Sequence, residues 1–137
     1  METTLSTPTR RITARSAAYW LTTGFLAFGM TAGGLGQLLH AQFNVDGMRH
    51  LGYPTYLLYI LGAWKLVGVA ALLLPGRPLL KEWAHAGFFF LLTGGVLSHV
   101  LAGDGLAQTV WVAVFAVLNV ASWYLRPASR RLTATQR

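Results

Sequence analysis

The chain of 137 residues contains no cysteine. This excludes disulfide staples, thiolate metal sites, iron–sulfur ligation and dithiol relay chemistry, so any redox role must use a borrowed cofactor. Acid is scarce as well, with four Asp and Glu against eleven Lys and Arg. No pair of carboxylates is spaced for acid–base catalysis, and there is neither a Gly-rich phosphate loop nor a serine–histidine–acid arrangement. Metal-ligand spacings such as H-E-x-x-H are missing too, so no metal site is expected, and no motif supports haem ligation by a His pair. Charged residues make up only 11% of the chain and hydrophobic residues 54%. That balance is far too apolar for a soluble domain of this length, and a bilayer is the natural solvent.

What is present is a series of long apolar runs, at about residues 19–40, 55–75, 84–102 and 107–125. Each approaches the roughly 20 residues that a helix needs to cross a hydrocarbon core. Pro54 opens the second run, Pro75, Gly76 and Pro78 close it, and Pro127 follows the fourth. The expected fold is an all-α membrane protein, a four-transmembrane-helix antiparallel bundle over 19–126, with basic tails at 1–18 and 127–137. The Arg pair at Arg10 and Arg11 does not mark an export signal, because the following apolar run continues to about His40 without an A-x-A type cleavage site.

The net charge of +7 forms no patterned groove for nucleic acid, and anionic lipid headgroups are the expected counter-charge. Arg10, Arg11 and Arg15 precede the first run, Arg77 and Lys81 lie between the second and third, and Arg126, Arg130, Arg131 and Arg137 follow the fourth; Arg49 stands alone on the other side. By the positive-inside rule both termini are expected in the cytoplasm. Trp20, Trp83 and Trp123 then fall on the inner boundary, and Tyr53, Tyr56 and Trp111 on the outer one, as amphipathic rings prefer. Gly29 and Gly33 form a G-x-x-x-G pair that allows close helix approach, either within the bundle or in a homodimer. A short echo, Gly36 before His40 and Gly95 before His99, is no more than chance would supply.

Lys65 is the most informative polar residue, because an ionisable group in mid-span costs a few kcal/mol and needs a reason. Gly62 and Gly68 share its face, which should turn it toward other helices. Side chains lean toward a helix's N-terminus, so Lys65 leans outward while His99 and His40, on helices of opposite direction, lean inward. Together with Gln37 they are expected to line a polar pocket in the outer half of the bundle, with Asp46, Arg49, His50 and Asp104 in the loops above. The Cα atoms of Lys65 and His99 differ in depth by roughly 10 Å, so a ligand or water would have to bridge them. The bland alternative has Lys65 snorkelling and the His residues capping the interface. Asn119 reads as interhelical glue, and His85, beside Lys81, Glu82 and Trp83, as a solvated interfacial residue.

The stretches LGYPTYLLYILGAWKLVGVAALLLPG and LLKEWAHAGFFFLLTGGVLSHVLAGD, with the four-run pattern, resemble the DoxX-like family of small bacterial membrane proteins over about residues 20–126. The likeness is carried by G-x-x-K at Lys65, L-P-G at Leu74–Gly76, K-E-W-A-x-A-G at Lys81–Gly87 and S-H at Ser98 and His99. The resemblance implies a four-helix membrane bundle with Lys65 and His99 as its intramembrane polar residues. It also implies a subunit of a quinone-linked membrane oxidoreductase system, with a partner subunit and quinone as the borrowed cofactor. The other reading is a non-enzymatic carrier of a small solute or anion, or a membrane scaffold. The topology has a direct check. Cysteines introduced at Ser6 and Thr135 should both resist an impermeant thiol reagent in intact cells, and labelling of both would reverse the orientation.

Overall fold

The computed structural model describes residues 11–136. Among them the chain is entirely helical, with α1 at Ala14–Leu38, α2 at Gln42–His50, α3 at Leu57–Leu73, α4 at Pro78–Leu101 and α5 at Leu106–Leu125. Two short 3-10 turns follow, Ala128–Arg130 and Ala134–Gln136. The helices α4 and α5 are long and apolar enough to cross a membrane, and α3 is equally apolar over 17 residues.

The four long helices form a ring in which α1 packs on α3, α3 on α4, α4 on α5 and α5 back on α1. Short turns at Gly76 and Gly103 reverse the chain, and both glycines adopt positive φ that side-chain-bearing residues resist. The interior is a thin apolar core of Leu26, Met30, Val69, Leu72, Phe88 and Leu92. The outside is aromatic and aliphatic, with Phe25, Phe28, Trp64, Phe90 and Val117 largely exposed. This inverts the usual distribution of a water-soluble bundle, whose outward faces are polar.

Glycine sets the closest helix contact. A Cβ built on Gly62 would lie 2.7 Å from the Gly34 carbonyl oxygen and 2.8 Å from Leu38 Cγ, so α1 and α3 touch backbone to backbone. Of the G-x-x-x-G pair, Gly29 is filled by the Phe115 ring of α5 and Gly33 faces Lys65 of α3, both within the chain. On the other side of α1, Thr23 and Ser122 share a buried hydroxyl hydrogen bond of 2.6 Å between α1 and α5.

Several details depart from the sequence reading. The first helix starts at Ala14 instead of 19, capped by Thr13 whose hydroxyl accepts from the Ser16 amide, so Arg15 lies in its first turn. Pro78 does not close the second long helix but opens the next at its first turn, where the missing N–H has no cost. This brings Lys81 into α4, only 1% exposed, and its ammonium donates to the carbonyls of Ala71, Leu72 and Leu74. Lys81 thus caps the orphan carbonyls at the end of α3 instead of standing free in a turn. The segment read as a loop at 41–54 contains α2. Gln42 donates to Asp46 one turn on, and Arg49 and His50 complement the helix's C-terminal dipole.

Gly62→Ala should destabilise the protein by about 1–3 kcal/mol, because the added methyl meets backbone that cannot yield. Gly94→Ala, where a Cβ meets nothing within 4 Å, should be neutral or mildly stabilising. Chemical unfolding of the two variants in detergent checks the contrast.

Candidate functional site

Polar side chains gather in three places. At the α2 end, Asp104 lies in the turn between α4 and α5 and is 9% exposed. His99 Nδ1 donates to its Oδ2 at 2.6 Å, and His50 Nε2 donates to its Oδ1 at 2.6 Å. An ionised carboxylate only accepts, so these two nitrogens carry protons. Tyr53 and Ser98 share a hydroxyl hydrogen bond of 2.9 Å alongside. Asp46 and Arg49 take no part: they are 60% and 68% exposed and face each other at 4.0 Å on the solvent side of α2. Because α2 is helical, its Asp46–Arg49 face turns away from the bundle while His50 turns toward it.

The second place is the α1–α3 seam. The Lys65 ammonium lies 3.6 Å from where a Gly33 Cβ would be, and among the described residues it has no hydrogen bond or ion pair. Gln37, one turn along α1 from Gly33, is buried with Oε1 unpartnered. His40, just past the end of α1, is in the left-handed region, φ 50°, with its ring 4.1 Å from the Tyr59 ring and Nδ1 buried without a partner. Residues at strained backbone positions often mark sites of function. His99 does not join this group. Gly68 packs on Phe88, so Lys65 is level with about residue 91 on α4, and His99 stands roughly 12 Å further along at 1.5 Å per residue. The Asp104 carboxylate holds it there.

The third place was not anticipated. His85 is 3% exposed rather than solvated at an interface. The Asn119 amide donates from Nδ2 to the His85 carbonyl at 2.9 Å, which turns its Oδ1 to accept from His85 Nδ1, also at 2.9 Å. Asn119 therefore joins α4 to α5 and selects one tautomer. In the neutral ring His85 Nε2 is then a bare acceptor, and it is buried without a partner. It lies along a groove of about 330 Å³ between α4 and α5, walled by Phe89, Phe90, Val120 and Trp123. Glu82 stands at one end, accepting from Trp123 Nε1 at 2.8 Å and from Arg126 at 2.6 Å. The sequence signal was present: His85 and Glu82 share a face of α4, and Asn119 and Trp123 share a face of α5 at i,i+4 spacing. Among the described residues no group of three or more His, Asp or Glu side chains is arranged to hold a metal ion.

The fold and its sites define a helical bundle that is apolar outside and carries isolated polar groups within. The chain belongs to the DoxX-like family, whose model matches residues 21–122. Membership points to a membrane protein. No curated protein and no solved structure matches it.

The bonds from His99 and, next, His50 hold the Asp104 carboxyl below the ordinary carboxylate range. A lowered folded-state value means that its stabilisation is complete above the usual pKa of about 3.9 and is lost as pH falls through the folded value. Melting temperature in neutral detergent should therefore decline on acidification below about pH 4. Asp104→Asn should lower stability at neutral pH and shrink that acid limb, and an unaltered limb would show that the bridge contributes nothing.

Proposed function

We propose that this chain is a four-span protein of the bacterial inner membrane, with both termini cytoplasmic, that binds a quinone headgroup for a membrane oxidoreductase. Family membership, the apolar exterior and the four ringed helices support the membrane placement. The observation that carries the ligand class is the unpartnered His85 Nε2 on an aromatic groove that opens sideways between α4 and α5. A buried acceptor without a donor is costly, and a ligand hydroxyl from the bilayer would satisfy it.

The groove fits the reduced form of such a headgroup. His85 Nε2 would accept from a quinol hydroxyl, Asn119 would hold the imidazole in the accepting tautomer, and the Phe90 and Trp123 rings would sandwich the apolar ring. A quinol bound there would supply two electrons for an oxidised centre of a partner subunit and two protons, one to His85 Nε2 and the other to water at the interface. Glu82, on the same face of α4, stands at the other end of the groove, where it pairs with Arg126. This reading puts the headgroup in the α4–α5 groove and not beside Lys65.

One observation favours a second reading. The unpaired Lys65 ammonium beside Gln37 would suit a small anion, as in a carrier with no redox partner. Titration of the purified protein with a short-chain quinol separates the two. His85→Leu should weaken binding about tenfold while the bundle still melts cooperatively, and Lys65→Met should leave it unchanged. Equal binding by parent and His85→Leu would refute the groove, and anion flux into proteoliposomes that disappears in Lys65→Met would establish the carrier.

A further inference from the structure

At the end of the bundle opposite α2, the described residues place Arg11, Arg15, Arg77, Lys81, Arg126, Arg130 and Arg131 against one carboxylate, Glu82. Most of these cations are engaged. Lys81 caps α3, Arg126 donates to Glu82 and to the Trp123 carbonyl, and Arg15 and Arg131 donate to the Tyr124 carbonyl.

Arg130 differs from them. Among the described residues its guanidinium has no hydrogen bond or ion pair, and its Nη1 is buried without a partner. It lies over the Trp20 ring at 4.7 Å and near the Tyr19 ring at 6.0 Å, held by π faces alone. Beside it is a hollow of about 580 Å³ between the start of α1 and the segment Pro127–Arg130. Arg11, Thr13 and Ser16 line the other wall. The positive end of the 25-residue dipole of α1 lies toward this wall, through Thr13 and Ser16.

We propose that this hollow binds a phosphate-bearing anion, seated between the Arg130 guanidinium and Arg11. Guanidinium forks and helix N-termini both match tetrahedral oxyanions. The rim adds Ile12 and Trp20, both exposed, which suit the glycerol and first methylenes of a lipid. A membrane phosphodiester and a free phosphate share the recognised chemistry, and the apolar rim favours the lipid. The site is separate from the His85 groove and does not depend on the quinone reading.

Native mass spectrometry of the full chain, released from neutral detergent after mixing with phosphatidylglycerol or phosphatidylcholine, tests it. The anionic lipid should be retained over the zwitterionic one, and Arg130→Gln should lower its retention about fivefold without altering that of phosphatidylcholine. Displacement of phosphatidylglycerol by excess inorganic phosphate would assign the same site to the free ion. Arg11→Ala, at the exposed rim, supplies the measurement if Arg130→Gln fails to melt cooperatively. Equal retention of the two lipids, or retention unchanged in the folded variants, would overturn the proposal.

Discussion

The need to satisfy backbone carbonyls at helix ends in apolar surroundings governs one whole end of this molecule. The last carbonyls of a helix have no partner within it, and where water is scarce each one left bare costs several kcal/mol. Here cations do the capping. Lys81, from the first turn of α4, closes α3, while Arg15 from α1 and Arg131 from beyond the bundle close α5. These are cross-links between elements as well as caps, so the termini of four helices are tied by charges that also favour the negative ends of the dipoles.

This explains why part of the structure was legible in the sequence and part was not. The four long helices follow from run length and from Pro and Gly punctuation, and Asn119 could be read as interhelical because a lone amide in an apolar helix needs a partner. Lys81 and His85 were misread because both sit in a K-E-W-A-H stretch that has the composition of an interface. Only the fold shows that α3's open carbonyls face Lys81 and that Asn119 faces His85. The short α2 was missed because its polar sequence has no apolar run, and its support comes from Gln42–Asp46 and from packing of Asn44 on Gly36. Lys65 lies against Gly33 and Gly34, in keeping with its small-residue face, whereas the partner of His99 was not legible. The competing acceptor for His99 is Asp104, five residues later, across a turn.

The polar groups within the apolar exterior fall into two kinds. Thr23 with Ser122 and Asn119 with the His85 carbonyl are closed pairs, whose hydrogen-bonding capacity is largely used between helices. His85 Nε2, Gln37 Oε1 and His40 Nδ1 are open, with one atom each left over. Closed pairs hold the bundle together, while open atoms in a low dielectric are sources of binding energy for whatever can complete them. The open atom at His85 adjoins a lateral groove, whereas those of Gln37 and His40 lie along the tight α1–α3 seam, where glycine contact leaves little room.

One carboxylate at the α2 end has a mechanical consequence. Asp104 grips an imidazole from α2 and another from the end of α4, and it belongs to the turn into α5. Three separate parts of the chain are thus pinned at a single point, which ties the short α2 to the corner between α4 and α5. Loss of that one charge would free both imidazoles together, so α2 and the α4–α5 corner share one fastening rather than two.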